Sequence, residues 1–426
     1  MRSEWLSSWL GTWPKDLPRL YPQLDDRLLS CFLSDAEYRA ILKMPIAAVL
    51  PLYSVDSSPR DKAFGAALAR LLTRDLMLLE TVSFHGPEDA PTLPFEEAAE
   101  AYPRRRRRVT WISGIAHIEE GLCKVDFRIF APGKPMHQTE VRGSMFKEFV
   151  AECALAISEA LGVAIPESLG EKWAVGRPAN VVNLLRFGKI LTSDLPARER
   201  SYQAKQLWTE DMDFSIVLQA LAEQEANYRV MLLEGYRRDP YNVALLCQLF
   251  NVVRETNGHE PYAVQFARKA LELSPGCGRA HLYMPEAAHP EASLLRHSEL
   301  AHYLLPDNLD AVLSYLAAMC RASRSPKELT ELVREAINRN PYDPENYHRV
   351  IEVFVAMKQP RYALHVAKGL QQLFEPEMHP RTRQCLEQDP RRRHLLQAGD
   401  YDPAREVRLL MRRLREMITG AGAAGS

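Results

Sequence analysis

No stretch of this chain approaches 18 unbroken apolar residues, so no membrane-crossing helix is expected from it. Net charge is also lacking. The 54 Lys and Arg nearly balance the 55 Asp and Glu, which excludes a global field drawing the molecule to nucleic acid or an anionic membrane. Cysteine is sparse, and none of Cys31, Cys123, Cys153, Cys247, Cys277, Cys320 and Cys385 stands in a C-x-x-C pair. That removes a zinc ribbon and a thioredoxin-type motif and leaves small buried hydrophobes in a reducing compartment. The phosphate loop G-x-x-x-x-G-K-[ST], a G-x-G-x-x-G after a strand, H-E-x-x-H and G-x-S-x-G are all missing. Gly65 stands alone in "AFGAALAR", and one glycine cannot cradle a phosphate. We therefore expect a protein that is not an enzyme and takes no cofactor or metal. The opening residues, "MRSEWLSSWLGTWPKDLPRL", have no cationic stub before a clean apolar run, so a cytoplasmic location without a secretory leader is expected.

What is present is a globular composition, 46% hydrophobic and 26% charged, on a length of 426 residues that calls for two or three domains. In the second half, Pro240, Pro275, Pro306, Pro341 and Pro376 follow one another at spacings of 35, 31, 35 and 35 residues. A period in this range signals stacked helical hairpins. Proline cannot extend the helix before it, so it suits the junction between hairpins. Five residues before three of these prolines stand Ala270, Ala301 and Ala336, and before Pro240 stands Gly235; small side chains there let helices approach closely. Leu246, Leu249 and Val253, then Val312, Tyr315 and Met319, then Tyr347, Val350 and Phe354 supply the apolar face of each first helix. The unit around Pro285 and Pro290 is short, and the one before Pro376 has Gln371 in the small-residue place.

This pattern resembles the tetratricopeptide repeat, carried by Ala263, Ala270 and Pro275 in one unit and by Ala336 and Pro341 in another. The resemblance implies an all-α superhelical solenoid over about 200–385. In such stacks the first helices line a groove. Counted from the prolines, its lining would be Asn251, Arg254, Arg279, Glu345, His348 and Glu352.

In the first half, "IAAVLPLY" reads as a buried strand, "DKAFGAALARLLTRDLML" as a helix and "ETVSFHG" as a second strand. A short helix at "FEEAAEAY" precedes two alternating strands, "VTWISGIAHIEE" and "CKVDFRIFAPG", with "EEG" as their turn and "MHQTEVRG" as a third strand. "FKEFVAECALAISEALG" then closes the domain as a helix ending near Gly162. The order gives one small mixed-sheet α/β domain over 45–165. These segments, with "RPANVVNLLRFGKIL" after them, resemble the amino-terminal domain of TolB-type and FlgO/CsgG-type proteins. That resemblance implies a protein-contacting, often self-assembling domain with no catalytic machinery. The expected fold class is thus α+β, followed by an α-α superhelix. Residues 1–44 form a helical lead, 166–199 a linker with a connecting helix, and 386–426 a capping helix and tail.

Three further features stand out in the sequence. Trp5, Trp9 and Trp13 recur every four residues and would make one aromatic stripe on a helix, docked on this chain or anchoring an oligomer or partner. Arg104, Arg105, Arg106, Arg107 and Arg108 invite a nucleic-acid reading, but they lack interleaved aromatics to stack bases. His281, His289, His297 and His302 cluster without the spacing or companions of a metal set. The expected function is a protein- or peptide-binding scaffold of bacterial type. The alternatives are a self-assembling subunit, built through the α/β domain and the tryptophan stripe, and a nucleic-acid contact through the arginine run.

Overall fold

The computed structural model describes residues 33–423, apart from 87–88, 91–92, 102–107, 145, 222–227, 255–259, 285–290, 389–392 and 394–401. It divides into two compact units, 33–307 and 308–423, and the division falls inside the 200–385 stretch.

The first unit holds the sheet. After α1 (Asp35–Ile41) come β1 (Ile46–Val49), α2 (Pro59–Leu76), β2 (Ser83–His85), α3 (Phe95–Ala101), β3 (Val109–Glu119), β4 (Leu122–Phe130), β5 (His137–Gly143) and α4 (Phe146–Leu161). The five strands lie in the order β2-β1-β3-β4-β5, with β1 parallel to β2 and β3, and β4 antiparallel to β3 and β5. The sheet is therefore mixed, as its sequence pattern requires. β1 is buried along its whole length, as expected of a parallel strand covered on both faces. The β3–β4 turn is two residues long, Glu120 at φ 47° and Gly121 at φ 85°, the conformation that matches the right-handed strand twist. α4 stops at Gly162, whose φ of 72° lies in the left-handed region that favours glycine.

One face of the sheet carries α2 and α4, with Phe64 and Phe149 stacked at 6.4 Å. The other face is covered partly by helices from far along the chain. Ile46, Ala48, Leu50 and Trp111 share a core with Ile41 of α1, Ala98 of α3, and Leu300 and Leu304 of α12 (Glu291–Leu304). α12 is also tied to the α1 region. Tyr38 donates to Glu299 at 2.5 Å, Arg296 to the Leu33 carbonyl at 3.0 Å, and Tyr303 to the Met44 carbonyl at 3.2 Å. This is why the compact unit extends to residue 307 rather than stopping with α4.

Between α4 and α12 lie α5 (Leu169–Ala174), α6 (Val181–Thr192), α7 (Ala197–Glu210), a 3-10 turn (Ser215–Ala220), α8 (Tyr228–Arg238), α9 (Val243–Arg254), α10 (Glu260–Leu273) and α11 (Gly278–Tyr283). The second unit runs α13 (Leu309–Arg321), α14 (Pro326–Asn338), α15 (Pro344–Ala356), α16 (Pro360–Gln371), α17 (Pro380–Gln388) and α18 (Pro403–Ala423). Consecutive helices pack in pairs: α9 on α10 and α11 on α12 in the first unit, α13 on α14 and α15 on α16 in the second.

All five prolines fall between helices: Pro240 between α8 and α9, Pro275 between α10 and α11, Pro306 between α12 and α13, Pro341 between α14 and α15, and Pro376 between α16 and α17. Ala263, Ala270, Ala301 and Ala336 are fully or almost fully buried. A Cβ on Gly235 would meet Leu218 at 2.2 Å. In three of the turns the residue two places after proline caps the next helix. Leu245 N–H donates to Asn242 (3.1 Å), Ala311 N–H to Asn308 (3.1 Å) and Glu345 N–H to Asp343 (3.0 Å). Among the described residues no helix is long and apolar enough to cross a membrane.

Candidate functional site

The six expected groove residues divide between the units. In the first unit three of them are already engaged. Asn251 donates to the Tyr283 hydroxyl at 3.1 Å, and the Arg254 guanidinium lies 5.8 Å from the centre of the Phe250 ring. The Phe250 and Tyr283 rings stack at 4.7 Å, almost parallel. Burial pushes the Tyr283 hydroxyl up to about 12, so it stays protonated. Arg279 pairs with Asp89 at 2.6 Å, a residue of the β2–α3 connection, and is thus used inside the fold. In the second unit Glu345, His348 and Glu352 stand three and four residues apart on α15, one stripe of a helix. Glu352 is exposed, and Glu345 and His348 are half-buried. Beside them Arg349 pairs with Asp310 of α13.

Trp5, Trp9, Trp13, Arg104, Arg105, Arg106, Arg107, His289 and Cys31 lie outside the described residues. Arg108 is exposed in the turn before β3. Five of the six described cysteines are buried and free, and Cys385 is half-buried.

Two histidines that sequence spacing left apart are brought together. His281 and His297 are both buried, with their Nδ1 atoms 2.8 Å apart, and His281 Nε2 lies 3.0 Å from the Pro275 carbonyl. That carbonyl can only accept, so His281 carries its proton on Nε2 and accepts from His297 Nδ1–H. The pair borders a cleft of about 420 Å³ between α1 and α10, walled by Ile41, Met44, Leu271 and Met284. Among the described residues no group of three or more His, Cys, Asp or Glu is placed to hold a metal ion.

Burial, with His297 adding to it, depresses His281 from 6.5 to about 3. Between those values the unfolded chain binds the proton more tightly than the folded one. The stability this histidine contributes is therefore complete above pH 6.5 and lost as pH falls toward 3, at up to about 1.4 kcal/mol per pH unit. Urea midpoints at pH 7, 5.5 and 4.5 should fall in that order, and His281→Gln should flatten the series. A flat series for the unaltered protein would contradict the neutral pair.

The deepest polar feature is an alternating network of two arginines and two aspartates. Arg74 Nη2 meets Asp239 Oδ1 at 2.5 Å, and its Nη1 meets Asp75 Oδ1 at 2.9 Å and the Lys172 carbonyl at 2.9 Å. Arg177 Nη2 meets Asp75 Oδ2 at 2.5 Å, while Ser215 donates to Asp239 Oδ2 at 2.7 Å. All four charged groups are at most 6% exposed, so every charge depends on its neighbour. Burial raises the Asp75 carboxyl above its ordinary value, against the pull of Arg177 and Arg74. The network joins α2 of the sheet layer to the turn after α5 and to the Pro240 turn. It acts as a joint between these segments, with each buried charge facing an opposite one. Sequence periodicity offers no sign of it. The only local signal is Gly176, whose φ of 74° and missing Cβ leave room for Asp239 Oδ2 2.2 Å from where that carbon would stand.

The C-terminal unit presents an open concavity of about 590 Å³ along α18 beside Gln371 of α16. Arg405, Arg408, Arg412 and Arg415 line it together with Leu409, Glu416 and Thr419. No protein-family model matches this chain, and no curated protein matches its sequence.

Proposed function

We propose that this protein is a non-enzymatic interaction scaffold that holds a protein or peptide partner on its paired helices. One observation carries the reading. The five prolines fall at successive turns between helices, and the small residue five places before four of them is buried in the helix packing. In the second unit α13 also touches α15, so the first helices of neighbouring pairs stand side by side, as a groove-forming stack requires. On this reading the paired helices within 200–385 are tetratricopeptide-like, and the sheet is a TolB-type amino-terminal domain. The element order β-α-β-α-β-β-β-α supports the second assignment.

The mechanism is groove recognition. Apolar contact gives affinity, and polar side chains such as Glu345, His348 and Glu352 give selection. Assembly through sheet edges is the weaker reading. The exposed edge strand β5 carries a charged ladder, with Lys124 2.8 Å from Glu140 and Arg142 on the same carboxylate, which blunts strand addition.

The test uses the full chain. Quantitative affinity capture with the wild type should enrich a partner that Glu345→Arg with Glu352→Arg loses by about tenfold or more, the size expected of interface residues. An unchanged capture profile for that variant, and for Asn251→Ala with Arg254→Ala, would remove the groove from the function.

A further inference from the structure

We infer that the ridge of α18 is a docking surface for an acidic amphipathic segment of a partner protein. The inference rests on the scaffold reading and names the chemistry of one partner surface.

α18 has two unlike faces. Val407, Met411 and Leu414 are at most 5% exposed and face the packing with α16, where Val366, Ala367 and Leu370 are buried. Arg405, Leu409, Arg412 and Glu416 recur three and four residues apart on another stripe, with Arg408, Arg415 and Thr419 along its flank. The helix carries five arginines against two glutamates. Arg408 is partly neutralised by Glu375 and, at 3.9 Å, by Asp402. The guanidiniums of Arg405, Arg412 and Arg415 make no ion pair among the described residues. Between them Leu409 is 46% exposed, and Met417 further along is 42% exposed. An arginine fork matches a carboxylate in two parallel hydrogen bonds, and an exposed leucine needs an apolar cover. Carboxylates flanking an apolar residue supply both.

Two other occupants fit less well. A nucleic acid would meet Glu416 inside the cationic stripe and would find no aromatic ring among the lining residues to stack on. A membrane would need the apolar face of the helix, and that face is turned toward α16.

The experiment measures binding of a labelled synthetic helix, with glutamates at i and i+4 flanking leucines, to the full-length protein by fluorescence anisotropy. Controls are its lysine-for-glutamate counterpart, a duplex oligonucleotide, and phosphatidylserine vesicles. Arg412→Glu with Arg415→Glu, and separately Leu409→Asp, alter only exposed positions; circular dichroism confirms that each variant folds. We expect each variant to weaken acidic-helix binding tenfold or more, and added salt to weaken it in the wild type. Glu345→Arg with Glu352→Arg should leave this binding unchanged. The inference is overturned if the ridge variants bind as well as wild type, or if the acidic helix does not bind. It is also overturned if the lysine helix, the oligonucleotide or the vesicles bind as tightly. The groove capture experiment is read independently, so the scaffold reading can survive the loss of this one, or fail without it.

Discussion

Asp239→Asn is expected to destabilise the first unit by about 3–5 kcal/mol, the cost of leaving a buried charge without its partner. Arg74 is 3% exposed and directs two of its nitrogens at Asp239, at 2.5 and 3.3 Å. Asparagine keeps the shape and an acceptor for Ser215 but removes the charge, leaving two arginines against Asp75 alone. The loss should appear as a lower urea midpoint with an unchanged denaturant slope. Arg74→Met should cost a similar amount, and the double variant clearly less than the sum, because the two residues act as a pair. Strict additivity in that cycle would show that the network is a crowd of independent contacts rather than a joint.

The second large effect comes from glycines that interrupt helices. Gly188 lies in α6, where a Cβ would stand 1.8 Å from the carbonyl oxygen of Ala63 in α2. Gly65 lies in α2, where a Cβ would stand 2.0 Å from the carbonyl oxygen of Leu52. Both obstacles are main chain and cannot swing aside. Alanine is the better helix former by about 1 kcal/mol, yet Gly188→Ala and Gly65→Ala should each lose about 3 kcal/mol or more through forced separation of packed elements. Gly170 in α5 is the control. Nothing lies within 4 Å of its added Cβ, so Gly170→Ala should be neutral or stabilise by up to about 1 kcal/mol. Thermal unfolding of the three variants decides it, and equal behaviour of all three would refute the close-approach account. Gly65, which could not cradle a phosphate by itself, thus has a packing role.

Local order was legible without coordinates. Alternation in "VTWISGIAHIEE" and "CKVDFRIFAPG" set β3 and β4, Glu120 and Gly121 set their turn, and Gly162 set the end of α4. The proline period placed the turns of the helical half. The caps Asn242, Asn308 and Asp343, each two residues after a proline, carry an equally local signal. The candidate sites depend on contacts that local spacing does not carry. Arg279, placed in a groove by counting, is held by Asp89, and no local pattern joins residues 190 positions apart.

The sequence by itself determined the type and order of elements, because periodicity, glycine and proline act on neighbours within a turn or two of chain. Only the tertiary structure decided that α12 covers the sheet and that His281 meets His297. The same holds for the burial together of Arg74, Asp75, Arg177 and Asp239, and for the break into compact units at residue 307. Those outcomes depend on which distant surfaces exclude water together and which buried charges must find one another, and neither leaves a trace in local spacing.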